Sequence, residues 1–207
     1  MQPFNLLKAD LRRIVRDVPL RVMAVLTLVV NLFTIGSYKL LVVLSEQFPA
    51  EDMEGAFEAM GIQSLAGSAF FSCLSISNIG ILICVAVAMF VGKDFVYNTI
   101  RNKVCAASRV KVYLSSLGAA LVIGLGLHVL SILESAALAA ILFGDATPIA
   151  DAVNACLISL PLYAGFIAVM VFISMTLKSQ VLGMVINIVV VVFVPSILSI
   201  VAMTGVE

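Results

Sequence analysis

The sequence predicts an all-α membrane protein, and three observations lead there. Of its 207 residues, 62% are hydrophobic and only 12% charged, with a mean hydropathy of +1.19; soluble domains carry about twice that charged fraction. The apolar residues come in uninterrupted runs, and a run of ~20 is what a helix needs to cross a bilayer. The charges are segregated along the chain although they sum to zero.

Five spans are expected, at about 22–44, 67–91, 112–142, 153–177 and 181–203. The first run is longer than the 7–15-residue core of a cleavable signal, so it reads as a retained span. The third is long, and a tilt, or a bend near Gly124 and Gly126, would accommodate it. Pro161 and Pro195 are candidate kinks in the last two spans. One membrane domain covers 1–207, with no internal repeat and no low-complexity linker.

Eleven of the twelve basic residues then fall on one side. Lys8, Arg12, Arg13, Arg16 and Arg21 precede span one; Lys93, Arg101, Lys103, Arg109 and Lys111 lie between spans two and three, and Lys178 between spans four and five. Only Lys39 lies near the opposite side, where Glu46, Glu51, Asp52, Glu54, Glu58, Asp145 and Asp151 gather. The positive-inside rule therefore predicts a cytoplasmic amino terminus. Before span one, Leu7, Leu11, Ile14, Val15 and Val18 recur at helical spacing, with Lys8, Arg12, Arg13 and Arg16 on the other face. That pattern predicts an interfacial helix, its apolar face in the acyl boundary and its cations among anionic headgroups. The acidic stretch 45–64 is expected to form an external loop or short surface helix.

Several chemistries are excluded. A phosphate-cradling loop needs GxxxxGK[ST], but Gly92 and Lys93 are followed by Asp94, with no glycine five residues before Gly92. The chain is thus not expected to hydrolyse ATP. Nothing around the single histidine resembles a Ser/His/Asp or Cys/His arrangement. Cys73, Cys84 and Cys156 lie in apolar runs and Cys105 in a basic loop, with neither CxxC nor Cys/His spacing. No metal, cofactor or nucleic acid is expected.

Within the spans, His128, Ser131, Glu134 and Ser135 share an arc of about 120° at 100° per residue. A mid-bilayer carboxylate costs about 2.5–3.5 kcal/mol on insertion scales, so Glu134 is expected to face protein or a polar cavity. His128 and Glu134, about 9 Å apart along the axis, are not expected to pair. Three readings stand: a translocation path or proton site built on these residues, a tight seam between helices in which polar groups bond across, and a Glu134 that simply lies near the outer headgroups, since the span ends about eight residues later. Ser68, Ser72, Ser75 and Asn78 form a similar arc on span two, and Asn31 and Asn187 are candidates for bonds between helices.

The segment 92–117, GKDFVYNTIRNKVCAASRVKVYLSSL, is the informative one. Asp94 is expected to cap a short helix, with Phe95, Ile100 and Val104 apolar beside Arg101 and Lys103, and Ser108 to start the next helix. A compact, basic, partly apolar helix between spans suits docking on a soluble partner, though an ordinary topology-setting loop fits the residues as well. The segment resembles the cytoplasmic signature of ABC-2-type transporter permeases, an acidic residue plus Phe, two variable residues, then Gly-Thr-Ile-[Arg/Lys]-Asn-Lys. Asp94, Phe95, Thr99, Ile100, Arg101, Asn102 and Lys103 match it, as do the following Ser108, Arg109, Val112, Tyr113, Leu114 and Ser115. Asn98 replaces the usual Gly, and Ser116 stands where Lys is common.

The resemblance implies a multi-pass permease of the bacterial plasma membrane that pairs with a second permease subunit and docks a separate ABC ATPase. Asp94, Phe95, Ile100, Arg101 and Arg109 are then expected to fold and dock a coupling helix. His128 and Glu134 remain a candidate intramembrane polar site. Such permeases have six spans, so a final span is expected to be missing here. The alternatives are a non-transporting scaffold or regulatory subunit, and an ion-driven carrier using Glu134.

Overall fold

The computed structural model describes residues 3–45, 65–144 and 147–204, and these are helical with no strand among them. The acidic stretch at 46–64 and residues 145–146 lie outside the described residues. The helices are α1 Pro3–Arg16, α2 Val18–Ser45, α3 Leu65–Cys73, α4 Ile81–Val96, α5 Thr99–Ala106, α6 Arg109–Phe143, α7 Thr147–Leu177 and α8 Gln180–Thr204. A π-helical turn, Ile76–Gly80, joins α3 to α4.

Four stretches are long and apolar enough to cross a membrane: Val18–Leu44, Gly67–Val96, Arg109–Phe143 and Ala152–Leu177. In α8 the corresponding apolar stretch among the described residues is shorter, Gln180–Phe193. α4 is central and packs on α2, α6, α7 and α8. Its residues Ile83, Cys84, Val87, Phe90 and Val91 meet Ile123 and Leu127 of α6, Ile167, Met170 and Val171 of α7 and Val191 of α8 in one core. α2, α7 and α8 instead show large apolar side chains on the surface, among them Phe33, Ile158, Phe172 and Val181. A water-soluble bundle hides such residues; a hydrocarbon solvent leaves them outside at no cost.

The expected second span is interrupted. The chain leaves the α-helix after Cys73, turns at Leu74 and Ser75, and resumes through the π-turn. A break in apolar surroundings frees carbonyls that no water satisfies. Here side chains satisfy two of them: Asn78 Nδ2 donates to the Ser72 carbonyl at 2.9 Å, and Tyr163 Oη on α7 to the Leu74 carbonyl at 3.1 Å. The expected third span is one unbroken helix of 35 residues. α7 likewise continues through Pro161.

Small residues set the closest helix approaches. A Cβ on Gly124 of α6 would stand 2.5 Å from Ile167 Cδ1 of α7 and 3.1 Å from Ile83 Cγ2 of α4. At Gly92 a Cβ would stand 2.7 Å from the Gln180 Cα, where α8 begins. Backbone cannot yield as a side-chain tip can, and overpacking typically costs about 1–3 kcal/mol. Gly92→Ala is therefore expected to lower the melting temperature in detergent clearly. Gly126→Ala, with nothing within 4 Å of its Cβ, is expected to leave it unchanged or raise it, since alanine favours helix by about 1 kcal/mol.

Candidate partner-docking site

The amino-terminal helix is amphipathic, but Leu7, Leu11 and Ile14 of its apolar side are spent on protein. Ile14 is buried in the core with Leu11 packed against it, and Leu7 Cδ1 lies against Gly118 of α6. The acyl-boundary role expected for Leu7, Leu11 and Ile14 is thus replaced by packing on α4 and α6. On the same side Asp10 is 3% exposed, although a carboxylate there needs partners to offset its desolvation. It has two: Lys103 Nζ and Ser115 Oγ each donate to it at 2.8 Å.

Asp94, near the end of α4, is the hub of this packing and is fully buried. Its Oδ1 accepts hydrogen bonds from Arg13 Nη1 and from Thr99 Oγ1 at 2.8 Å; its Oδ2 accepts one from Lys103 Nζ at 2.7 Å. Arg13 also lies over the Phe90 ring, 5.2 Å from its centroid. Lys93 Nζ donates to Asp17 at the α1–α2 junction. One carboxylate thus joins α1, α4 and α5. Lys103 extends the chain through Asp10 to Ser115 of α6.

The expected capping role of Asp94 is not what the structure shows. Asp94 lies inside α4, and the residue before α5 is Asn98, which makes no side-chain cap. Asn98 instead takes the left-handed conformation, φ 55° and ψ 18°, that reverses the chain between α4 and α5. Glycine adopts it freely and asparagine most readily among the others. Ser108 stands at the N-cap of α6 with extended backbone.

The other singled-out residues of this segment meet elsewhere. Phe95, Ile100, Arg101 and Arg109 line one groove of about 630 Å³ between α5, the start of α6 and the end of α7. Val104, Val112, Tyr113 and Met175 add apolar lining, and Lys178 adds a third cation. Phe95, Ile100, Tyr113 and Met175 are half-buried, whereas Arg101, Arg109 and Lys178 are exposed. An apolar surface beside three exposed cations suits a partner carrying apolar side chains and carboxylates. Asp94 does not line this groove. It acts behind it, holding α5 in place.

The intramembrane polar stripe divides between two neighbours. Asn31 of α2, buried, exchanges hydrogen bonds with Ser131 and donates to Glu134 Oε2 at 3.2 Å. His128 faces α7 instead: its Nε2 lies 2.7 Å from Ser159 Oγ and its ring stacks on Tyr163, centroids 3.9 Å apart. Since the Ser159 hydroxyl donates to the Ala155 carbonyl at 2.6 Å, Nε2 is the donor to Ser159. Ser135 bonds its own helix at the Ile132 carbonyl. Asn187 joins α8 to α7 through the Met170 carbonyl and Ser174.

Sequence reasoning overlooked Asp10 and Asp17. The available signal was Asp10's position in the arc of Leu7, Leu11 and Ile14, where a carboxylate requires a buried cation. Tyr113, Met175 and Lys178 were not legible as groove residues, because their meeting depends on how α6 and α7 pack.

The chain matches no protein-family model, no curated protein and no solved structure.

Breaking a buried pair typically costs about 3–5 kcal/mol, and Arg13, with 30% of its side chain exposed, softens that here. Asp94→Ala is expected to destabilise the protein more than Arg13→Ala. The double variant is expected to lose less than the sum of the singles, with a coupling of about 1–2 kcal/mol. Thermal unfolding in detergent of the three variants checks this.

Proposed function

We propose that this chain is the membrane permease subunit of an ATP-driven exporter, which supplies the translocation path and docks a separate ATPase. In this reading α2, the α3–α4 unit, α6, α7 and α8 are five spans of a bacterial plasma membrane, with the amino terminus cytoplasmic. A second permease subunit completes the path. The ATPase docks on the groove of Phe95, Ile100, Arg101 and Arg109, and α5 is the coupling helix that relays its movement.

The observation that carries the reading is the convergence of these four residues, drawn from three successive segments of chain, on one groove at the basic end. The buried Asp94 hub supports it as well, since a helix that transmits force must be tied to what it moves. Arg13, Thr99 and Lys103 tie α5 to α1 and α4 through it. Asn98 supports the resemblance in turn: where the ABC-2 pattern has Gly, this backbone takes a conformation that Gly or Asn supplies.

Cys105 provides the test, because it is exposed in the groove while Cys73 and Cys84 are buried. An ATPase subunit is expected to co-purify with this chain and to protect Cys105 from a maleimide. Phe95→Ala combined with Arg101→Glu is expected to weaken that association about thirtyfold or more, as loss of an anchoring residue worth ~2 kcal/mol does. Association and stimulated ATPase activity that survive this double substitution overturn the coupling role. Absence of any ATPase partner favours a scaffold.

A further inference from the structure

The cations of α1 divide sharply by face. Arg13 turns inward to Asp94, whereas Lys8, Arg12 and Arg16 are exposed. These three are spaced four residues apart, so they form a strip with about 6 Å between successive positions. None makes an ion pair with an acid among the described residues. The nearby acids are already occupied: Asp10 by Lys103, Asp17 by Lys93 and Asp94 by Arg13 and Lys103. Among the described residues, then, nothing compensates the strip.

Its position narrows the partner. One residue after α1 ends, α2 begins, and Val18, Val22 and Val25 expose 63%, 55% and 63% of their surface. A row of cations followed along the chain by exposed valines matches the order of a leaflet, charged headgroups and then acyl chains. A protein partner's interface core needs large apolar or aromatic anchors, and among the described side chains between these cations the one exposed apolar group is the small Ala9.

We propose that Lys8, Arg12 and Arg16 form a binding site for the headgroups of anionic phospholipids in the leaflet at the basic end. The site rests on α2 crossing the bilayer and is independent of ATPase docking. Lipid held there clamps α1 from outside, while Asp10, Arg13 and Asp17 hold it from inside.

The test uses the full chain reconstituted in mixed phosphatidylglycerol–phosphatidylcholine vesicles. Spin-labelled versions of each lipid report the fraction immobilised at the protein. The native chain is expected to prefer phosphatidylglycerol, and Lys8→Gln, Arg12→Gln and Arg16→Gln, made singly and together, to reduce that preference by up to about fivefold per charge. The control carries Arg101→Gln, Arg109→Gln and Lys178→Gln, an equal loss of charge at the groove, and is expected to keep the preference. Equal losses in both sets overturn the site in favour of diffuse attraction, and no preference in the native chain overturns it outright. Displacement of labelled lipid by dissolved glycerol phosphate assigns the strip to a soluble phosphate ligand instead. Intact lipid preference with impaired ATPase association in the strip variant makes it a protein-docking surface and refutes the lipid assignment. ATPase association that survives in the groove control speaks against the groove and leaves the lipid site standing.

Discussion

One buried carboxylate organises the basic end of this protein. Asp94 is fully enclosed, and three donors, one from α1 and two from α5, converge on it. An unpaired charge in that place costs several kcal/mol, so the surrounding chain has little freedom to rearrange. Arg13 has to reach it from α1, Thr99 from the start of α5 and Lys103 from one turn further along α5. Those requirements fix the angle at which the chain leaves α4, and the left-handed Asn98 supplies the reversal. The groove beside α5 is a consequence of this geometry.

The same rule operates deeper in the bundle, with neutral groups in place of charges. Where hydrocarbon surrounds a helix, any interruption must satisfy its own carbonyls. The break after α3 does so with Asn78 and with Tyr163, which reaches over from α7. Tyr163 also stacks on His128, and His128 bonds Ser159, so the break, α6 and α7 share one polar contact. Asn31 performs a similar service between α2 and α6. These bonds do not drive association by themselves, since a separated helix finds other partners in the membrane. They make one arrangement of the helices cheaper than its alternatives.

The apolar runs and the existence of a short helix after the second span, though not its start at Thr99, were legible because their signals are local. Run length, charge and spacing can each be read within a window of about twenty residues. Asp94 was legible as an important residue but not as a buried hub: capping and burial both call for an acidic residue near a helix end, and only packing distinguishes them. The interfacial helix was half legible. Its amphipathic period gave a true helix, but period says which face is apolar and not whether lipid or protein covers it. The break in the second span escaped for a related reason, because the bonds that tolerate it come from Asn78 and from Tyr163, 89 positions beyond the carbonyl it serves.

Charge is distributed by function along α1, and this follows from its two neighbours. A buried face tolerates charge only as matched pairs, so Asp10 and Arg13 each find an opposite partner within the fold. An outward face has no such restriction, and Lys8, Arg12 and Arg16 stand on it without an ion-pair partner among the described residues. A helix on a water-exposed surface gains from alternating signs, since pairs at four-residue spacing stabilise it by about 0.2–0.5 kcal/mol each, whereas like charges at that spacing repel by similar amounts. Three like charges in a row therefore leave the isolated helix slightly worse off. The core packing of Leu11 and Ile14 and the hub at Asp94 outweigh that deficit and keep α1 in place. In the proposed lipid site, anionic headgroups turn the same repulsion into attraction, so the strip is unfavourable within the chain and favourable only in the setting it is proposed to occupy.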